Sequence, residues 1–524
     1  MRAVLEDIER AGGLGAGCVE VDDAVFALPN ATAVEFDSLN KKKHRHGAVL
    51  RKLKVQVQQP DQSLGLQTDE SYSLRVAAPT ALLRAKTVYG ALHGLETLTQ
   101  LVRGARGCAL GEELGRRGRR RRKRRGVLII QETLIRDAPR FPHRGLLIDS
   151  ARHFLSLDTI KAHLDAMAAS KLNVLHWHLT DDQSFPYGSE ALPELPARGA
   201  FSAREVYSLD EVESVVAYAR ARGIRVVPEF DTPGHALSWG RGRPGLLTPC
   251  FDSAGAHALP GVFGPIDVTR PDAYGLVWAL FQEAARVFPD AALHLGGDEV
   301  DPGCWESNPD VRRWMREHGS AHSAAALQQR WELRLQGLAT ALGKTPILWE
   351  EAFYRGRGEG LDAHAVVQVW KWWRDREGAE AATEEAAGVT QGTARRQFLG
   401  SGSLWARNET SYERLRVGPE DEAVWREMLD RVTASLELVL GGEACLWGEF
   451  VDDSNALERA WPAAAAVAER LWSPANSTQS VVEAEPRLAE HRCRLVRCGI
   501  PAAPIGPGSC FQQGPEAPFL TASA

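Results

Sequence analysis

The stretch Ala292-Leu293-His294-Leu295-Gly296-Gly297-Asp298-Glu299-Val300 decides how the rest of this chain is interpreted. It reads as a short apolar strand followed by two glycines and two adjacent carboxylates. Glycines at the end of a strand let backbone or a ligand come close. Neighbouring side chains of a strand point to opposite faces, so Asp298 and Glu299 can serve one site only if the strand has ended there. Such a pair can divide acid and base work, and a solvated strand-to-loop junction is the alternative.

The composition sets the class of protein. The chain has 524 residues, of which 44% are hydrophobic and 25% charged, as in an ordinary globular enzyme of two or more domains. The formal net charge of −6 predicts no polyanionic partner such as nucleic acid. No apolar run reaches membrane-spanning length. Acids interrupt the first ten residues, which predicts no signal peptide, so we expect an intracellular protein or a missing start.

Cysteines and sequons carry weaker information. None of the eight cysteines forms a CxxC pair, so we predict no zinc site, and their spacing leaves thiols and disulfides open. Three N-glycosylation sequons, at Asn30, Asn408 and Asn476, weakly favour a secretory route.

The first 137 residues predict a separate small α+β domain. Segments 48–57 and 71–77 alternate like strands, and 87–102 has helical apolar spacing. A basic run within 115–126 follows, which we interpret as a solvated loop because like charges repel. A nuclear-localisation or nucleic-acid patch is less favoured, since no aromatic residues interleave with the charges. A protease-sensitive site or a sequence artefact would also account for the basic run.

From Phe141 onward, apolar strands alternate with helices, which predicts a parallel sheet covered by helices. Seven or eight such units over roughly 370 residues predict an α/β fold of the (β/α)8 TIM-barrel type, within residues 138–511. A doubly wound open sheet is the rival, disfavoured because no glycine-rich phosphate loop follows the first strand. The predicted strands are 145–149, 172–179, 224–230, 292–295, 346–349, 365–370 and 438–447, and the predicted helices are 157–170, 209–222, 273–287, 324–342 and 456–471. Residues 512–524 are predicted to form a tail.

The predicted strand ends are rich in carboxylates, histidines and tryptophans, which should share one rim of the barrel. Carboxylates and arginine hydrogen-bond hydroxyls, and indole faces cover the C–H face of a pyranose, so the set suits a sugar. A single strand-end tryptophan is more often core, but three occur at three strand ends. His176 and His178 resemble a metal pair, yet without a nearby third ligand we interpret them as structural, with Trp177 in the core.

Longer segments resemble the β-N-acetylhexosaminidases of glycoside hydrolase family 20, in particular the animal-type lysosomal α and β subunits. The resemblance rests on Phe141 to Leu146, Arg152 with His153, His176 to Asp182, Glu229 to Trp239, His294 to Val300 and Gly441 to Glu449. It implies a small α/β domain before a catalytic barrel. It also implies removal of terminal N-acetylglucosamine or N-acetylgalactosamine from glycoproteins, glycolipids and glycosaminoglycan fragments, without cofactor or metal, by a lysosomal enzyme that dimerises with itself or a related subunit.

The resemblance also implies the chemistry. The acetamido oxygen of the substrate acts as the nucleophile, which is the substrate-assisted exception to the two-carboxylate scheme. Glu299 is expected to be the general acid, and Asp298 is expected to hold the acetamido N–H and stabilise the oxazolinium-like intermediate. Because the nucleophile is part of the substrate, it has the proximity advantage, and the configuration should be retained.

Other expected roles come from the resemblance position by position. Arg152 matches an arginine that binds sugar hydroxyls, and Asp181 with His235 matches the pair that tunes the acid. Glu449 matches a carboxylate for the outer hydroxyls. The aromatic walls match Trp349, Trp370 and Trp447, and the family's disulfides match Cys250 with Cys304 and Cys493 with Cys510. These disulfides imply an oxidising compartment.

One segment departs from the family pattern. Residues 388–437 match poorly, the expected tyrosine position holds Ala406, and the hydroxyl-binding position falls on Asn408, which is also a sequon. Losing a phenol that bonds the acetamido oxygen would cost roughly 3–4 kcal/mol, as for comparable donors elsewhere. A catalytically weakened glycan-binding or partner-subunit homologue is therefore the alternative function. The preference between gluco and galacto sugars also depends on this segment.

Overall fold

The structure is a computed structural model. It describes residues 33–35, 49–60, 63–105, 127–318, 323–356, 361–370, 397–403, 439–478 and 480–510. Among the described helices, none combines the length and apolarity that crossing a membrane requires.

The N-terminal part is a five-stranded mixed sheet covered by one helix. The elements in chain order are β1 (Ala33–Glu35), β2 (Lys52–Gln59), β3 (Tyr72–Val76), β4 (Thr80–Thr87), α1 (Val88–Leu101), β5 (Arg103–Ala105), β6 (Val127–Ile129) and β7 (Thr133–Asp137). Of these strands, β5 and β6 form a separate two-stranded ribbon, and the other five form the sheet. The strand order is β1-β2-β4-β3-β7. Alternation along β4 buries Leu83 against Leu95 and Leu98 of α1, which the Thr87 hydroxyl caps by accepting from the Gly90 N–H.

Eight parallel strands close into a barrel, which confirms the predicted fold. In barrel order these strands are β8 (His143–Asp149), β9 (Val174–Thr180), β12 (Arg225–Phe230), β15 (Ala292–His294), β16 (Thr345–Trp349), β17 (Val366–Val369), β18 (Gln397–Ser403) and β19 (Val439–Leu446). Four further strands lie in the loops: β10 (Tyr187–Gly188), β11 (Tyr207–Ser208), β13 (Leu247–Phe251) and β14 (Ala258–Ile266). The sheet of β7 ends at Asp137 and the barrel begins at His143, while the exact domain boundary stays a prediction.

Helices alternate with the strands and cover the barrel. They are α2 (Leu157–Ala169), α3 (Glu194–Gly199), α4 (Leu209–Arg220), α5 (Leu237–Gly242), α6 (Pro271–Val287), α7 (Gly303–Ser307), α8 (Pro309–Glu317), α9 (Ala324–Ala341), α10 (Glu351–Gly356), α11 (Ala456–Ala460), α12 (Ala463–Trp472) and α13 (Val481–Arg497). Serines start several of them: Ser208 and Glu211 form a capping box on α4, and Ser156 caps α2. Outward-facing strand residues such as Leu175 and Trp177 pack under the helices, so Trp177 is core as predicted.

Several elements were not predicted, and two of the differences in the barrel have a clear physical cause. The barrel strand β18 lies within the poorly matching segment and was not predicted, because glycine and serine occupy alternate positions of Gln397–Ser403 and leave no apolar pattern. The helix predicted over 456–471 is instead two helices, since Pro462 cannot continue α11 and stands at the start of α12.

A buried ion pair joins the N-terminal part to the barrel. Arg144 of β8 donates to both carboxylate oxygens of Glu70, at 2.7 and 2.9 Å, and His93 lies 2.8 Å from the same carboxylate. The Asn173 amide donates to Glu70 as well, at 3.0 Å. Burial would raise the pKa of Glu70, but the Arg144 guanidinium outweighs it and lowers that pKa to about 2. Glu70 is therefore ionised wherever the protein is folded at ordinary pH.

Replacing Glu70 by Gln should lower the free energy of unfolding by about 3–5 kcal/mol, because Arg144 stays buried without its counter-charge. The measurement is urea unfolding at pH 7. Since the folded pKa of Glu70 is lowered from 4.5 to about 2, its contribution is present above pH 4.5 and is lost as the pH falls toward 2. The control is Glu469→Gln, which breaks the exposed pair with Arg487 and should cost less than about 1 kcal/mol. Equal costs for the two variants would contradict the stabilising role of the Glu70–Arg144 pair.

Candidate active site

The Asp298–Glu299 pair lies beyond the end of a very short strand. β15 ends at His294, and Gly296 and Gly297 then adopt positive φ angles of 71° and 104°. Gly296 is required twice over: its φ suits glycine, and a Cβ there would lie 1.7 Å from Asp231 Oδ1. The Gly297 N–H donates to the same Asp231 oxygen at 2.8 Å. The strand has thus ended before Asp298, which is the condition for both carboxylates to serve one site.

Glu299 in this turn and His235 in the loop after β12 both have strained backbones. Among the described residues, three that are not glycine have positive φ, and two of them are Glu299 at 45° and His235 at 50°. Such strain persists only where the surrounding structure holds it, and it is concentrated at functional sites. Glu299 is exposed, Asp298 is 8% exposed, and one ligand atom each of His235, Asp298 and Glu299 lie within 4.8 Å of one another. The turn therefore presents a buried and an accessible carboxylate side by side.

His235, Asp181 and Arg152 form an ion-pair network beside Asp298. His235 Nε2 lies 3.7 Å from Asp298 Oδ2, and its Nδ1 lies 3.3 Å from Asp181 Oδ1. Arg152 Nη2 lies 2.7 Å from Asp181 Oδ2 and 3.4 Å from His235 Nδ1. Burial would lower the pKa of His235, but the Asp298 and Asp181 carboxylates outweigh it and raise that pKa to about 11. His235 is therefore an imidazolium.

Asp149, at the end of β8, fixes the position of Arg152 and of the loop that follows the neighbouring strand β19. Its Oδ2 accepts from Arg152 Nη1 at 3.0 Å and from the Gly448 N–H at 2.9 Å. Arg152 also lies over the Trp447 ring, with its guanidinium carbon 5.1 Å from the ring centroid. Burial would lower the pKa of Arg152, but Asp149 and Asp181 raise it. Sequence reasoning placed Asp149 at a strand end without giving it this role.

The three predicted tryptophans lie together. Trp349 and Trp447 have ring centroids 5.9 Å apart, and both pack with Trp370 around Leu147. The Trp349 indole N–H donates to Glu229 Oε1 at 2.8 Å, and that of Trp370 donates to Glu351 Oε2 at 3.2 Å. Trp349 is only 2% exposed, whereas Trp370, Trp447 and the neighbouring Glu449 are half-buried. Trp370, Trp447 and Glu449 are thus more accessible to solvent than Trp349.

Buried carboxylates inside the barrel were missed by sequence reasoning. Glu229 and Glu443 lie within strands and face inward among histidines, at 0% and 4% exposure. Gly145 leaves the space for Glu443, since a Cβ there would lie 2.4 Å from its Cγ. An acidic residue within an otherwise apolar strand could have indicated them, because a buried carboxylate requires a charged or hydrogen-bonding partner nearby.

Within the described residues, three groups of histidine and carboxylate atoms lie within 4.8 Å of one another. The groups are His176, Glu229 and His294; Asp181, Asp231 and His235; and His235, Asp298 and Glu299. The sequence predicts no metal, and each group contains at least one histidine–carboxylate ion-pair contact. We assign no metal to them.

Disulfides and sequons fall partly within the described residues. Cys250 is joined to Cys304, and Cys493 to Cys510. The first bond ties β13 to α7, which directly follows the Glu299 turn. Asn476 is exposed, whereas Asn30, Asn408 and Ala406 lie outside the described residues, as do residues 512–524.

Comparisons with known proteins agree with this geometry. Residues 141–475 match the family described as glycosyl hydrolase family 20, catalytic domain, and residues 23–101 match a family described as beta-acetyl hexosaminidase like. The chain is 42% identical to the beta-hexosaminidase subunit beta of Felis catus over 457 residues, covering 84% of this chain and 77% of that protein. It is 39% identical to the beta-hexosaminidase subunit alpha of Mus musculus over 511 residues, covering 95% and 89%.

A solved structure is similar as well. The Flavobacterium johnsoniae chitobiase superposes with a TM-score of 0.68 at 29% identity, and the match covers 86% of this chain and 63% of the chitobiase. The family match extends over the barrel strands that carry the Asp298–Glu299 turn, Arg152 and the tryptophans. This chain belongs to glycosyl hydrolase family 20.

Proposed function

We propose that this chain is a retaining exo-β-N-acetylhexosaminidase that removes terminal N-acetylglucosamine and N-acetylgalactosamine from glycoconjugates. The observation that carries the proposal is the Asp298–Glu299 turn, where a buried carboxylate held by His235 adjoins an accessible one. The family membership and the identities of about 40% to beta-hexosaminidase subunits support the same activity.

Glu299 is the proton donor in this proposal. It gives its proton to the leaving oxygen, and the resulting carboxylate then activates the water that opens the intermediate. Accessibility suits this role, because Glu299 must exchange its proton with water between turnovers. In a regular strand the side chains of Asp298 and Glu299 would point to opposite faces. The left-handed backbone at Glu299 departs from that geometry.

Asp298 is the holder of the substrate's own nucleophile. Its carboxylate accepts a hydrogen bond from the acetamido N–H and orients the acetamido oxygen toward the anomeric carbon. It also stabilises the positive charge that develops on the oxazolinium-like intermediate. Burial of Asp298 supports this role, since a carboxylate interacts more strongly with a nearby charge when little water screens it.

Arg152, Glu449 and the indoles bind the sugar in this proposal. Arg152 is held by Asp149 and Asp181, which leaves its remaining N–H groups as directed donors to hydroxyls. Glu449 is half-buried next to Trp447 on the same rim and accepts outer hydroxyls. The indole faces of Trp370 and Trp447 cover the apolar face of the ring.

We also propose a lysosomal location and a dimer with itself or a related subunit. Resemblance to animal hexosaminidases supports the location, and the relatives' names as alpha and beta subunits support the pairing.

The test is turnover by the purified full chain. We expect release of a chromogenic phenol from the aryl β-N-acetylglucosaminide and β-N-acetylgalactosaminide, and none from the aryl β-glucoside, which lacks the acetamido nucleophile. Sugar binding without turnover would favour the weakened glycan-binding homologue instead. Comparable cleavage of the glucoside would contradict the substrate-assisted mechanism.

A further inference from the structure

Behind the proposed active site, carboxylates and imidazoles alternate through the barrel interior. Glu443 Oε2 lies 2.8 Å from His176 Nδ1, and His176 Nε2 lies 3.0 Å from Glu229 Oε2. His178 Nδ1 lies 2.6 Å from the same Glu229 oxygen, and its Nε2 lies 3.0 Å from Asp181 Oδ2. We call these five residues the histidine–carboxylate chain.

The histidine–carboxylate chain reaches the carboxylate of Asp298 through His235, across an ion-pair contact of 3.7 Å. Asp181 is both its last member and the partner of His235, whose other ring nitrogen faces Asp298. All five members of the chain are buried. It therefore links the interior strand residue Glu443 with the proposed holder of the nucleophile.

Proton counting makes His178 cationic, and the carboxylates on both sides of His176 favour the same charge there. An ionised carboxylate only accepts hydrogen bonds, so an imidazole with a carboxylate at each nitrogen must carry a proton on both. His178 hydrogen-bonds a carboxylate at both nitrogens. His176 hydrogen-bonds Glu443 through Nδ1, and its Nε2 makes a close ion-pair contact with Glu229 whose direction does not suit a hydrogen bond. The Glu443 and Glu229 carboxylates overcome burial and raise the pKa of His176 to about 9.

We propose that the histidine–carboxylate chain is a positioning device that holds His235 as an imidazolium against Asp298. Its members do not touch the substrate; they fix the orientation and charge of His235, which in turn holds the Asp298 side chain in place beside the acetamido group. The proposal rests on the function proposed above. It predicts that a charge changed deep in the barrel alters the pH dependence of turnover.

Other titratable groups face the same residues and enter the prediction. They are His143 beside Glu443, His294 beside Glu229 and stacked on His176, Arg152 beside Asp181, Asp149 near His178, and Asp231 near Asp298. Of these, His143 and His294 have lowered pKa values because they are buried, so they are the neutral rings that can take up a proton and partly compensate a lost charge.

The first experiment compares two near-isosteric variants with opposite charge changes. His176→Gln removes a positive charge from the histidine–carboxylate chain, so the acidic limb of the kcat profile should move to higher pH. Glu443→Gln removes a negative charge and should move that limb to lower pH. One unit charge about 10 Å away at an effective dielectric of about 20 shifts a titration by about one pH unit, and partial compensation reduces this to about half a unit. KM should change little.

The control is His163→Gln, in a buried histidine outside the chain. His163 accepts from the Trp461 indole N–H at 3.2 Å, and burial lowers its pKa to about 3, so this variant removes no charge. It should lose stability without moving the acidic limb. A limb unmoved in both chain variants, or moved in the same direction in both, would overturn the proposal.

Ring-nitrogen NMR of the histidine-labelled full chain gives a readout that needs no turnover. At pH 8 we expect imidazolium shifts for both nitrogens of His176 and His178, assigned by their loss in the Gln variants. Neutral rings at these positions would overturn the proposal even if the enzyme is active. Absence of turnover by the parent protein would instead refute the proposed function, and the spectra would still decide the charge of the chain.

Discussion

Glu299→Gln should lower kcat toward an N-acetylglucosaminide with an alkyl leaving group by about 10²–10⁴-fold, the usual contribution of general acid catalysis. The amide keeps the size of the side chain but has no proton to give to the departing oxygen. Toward a dinitrophenyl glycoside the first step should be much less affected, because that leaving group departs without protonation. The measurement is kcat for both substrates in parent and variant.

The matched control is Glu306→Gln, which changes the same side chain at an exposed position on α7. Its kcat should equal that of the parent for both leaving groups. An equal loss of kcat in Glu299→Gln for the good and the poor leaving group would contradict the role of Glu299 as proton donor.

Asp298→Asn should lower kcat by about 10²–10³-fold, as the removal of one preorganised electrostatic contact does in other enzymes. The asparagine can still accept the acetamido N–H through its oxygen, so substrate binding and KM should change little. It no longer opposes the positive charge of the intermediate, and it leaves the His235 imidazolium 3.7 Å away without that carboxylate. The loss should therefore be in kcat.

Asp301→Asn, three residues further along the same loop and exposed, is the control and should retain full kcat. Should Asp298→Asn raise KM strongly at unchanged kcat, Asp298 would be a ground-state binding residue and not a stabiliser of the intermediate.

The barrel could be predicted from the sequence because its strands are buried on both faces and its helices have apolar faces. The strand starting at Ala292 and helix α9 are found close to their predicted positions. Strand β18 could not be predicted, since small and polar residues give no apolar signal in Gln397–Ser403. The break at Pro462 could have been, because a proline within a helical pattern usually breaks or kinks the helix.

The site was predictable only at its rim. Residues such as Arg152 and Asp298 could be predicted because polar side chains that follow the C-terminal ends of barrel strands usually belong to the active site. The partners that hold them do not stand out. Glu229 and Glu443 pair with residues far away in the chain, up to 300 positions in the case of Glu443 and His143, and Asp149 joins the nearby Arg152 to the distant Gly448. No local pattern encodes such a pairing.

The substrate's acetamido oxygen is the proposed nucleophile, assisted by Asp298 and Glu299. A series of aryl N-acetylglucosaminides with zero to three fluorines on the acetyl group tests this role most directly. Each fluorine withdraws electrons from the carbonyl oxygen and leaves the leaving group unchanged. We expect kcat/KM of the parent protein to fall steeply with each added fluorine. A rate that does not depend on fluorine number would contradict this role and would assign the nucleophile to the protein or to water.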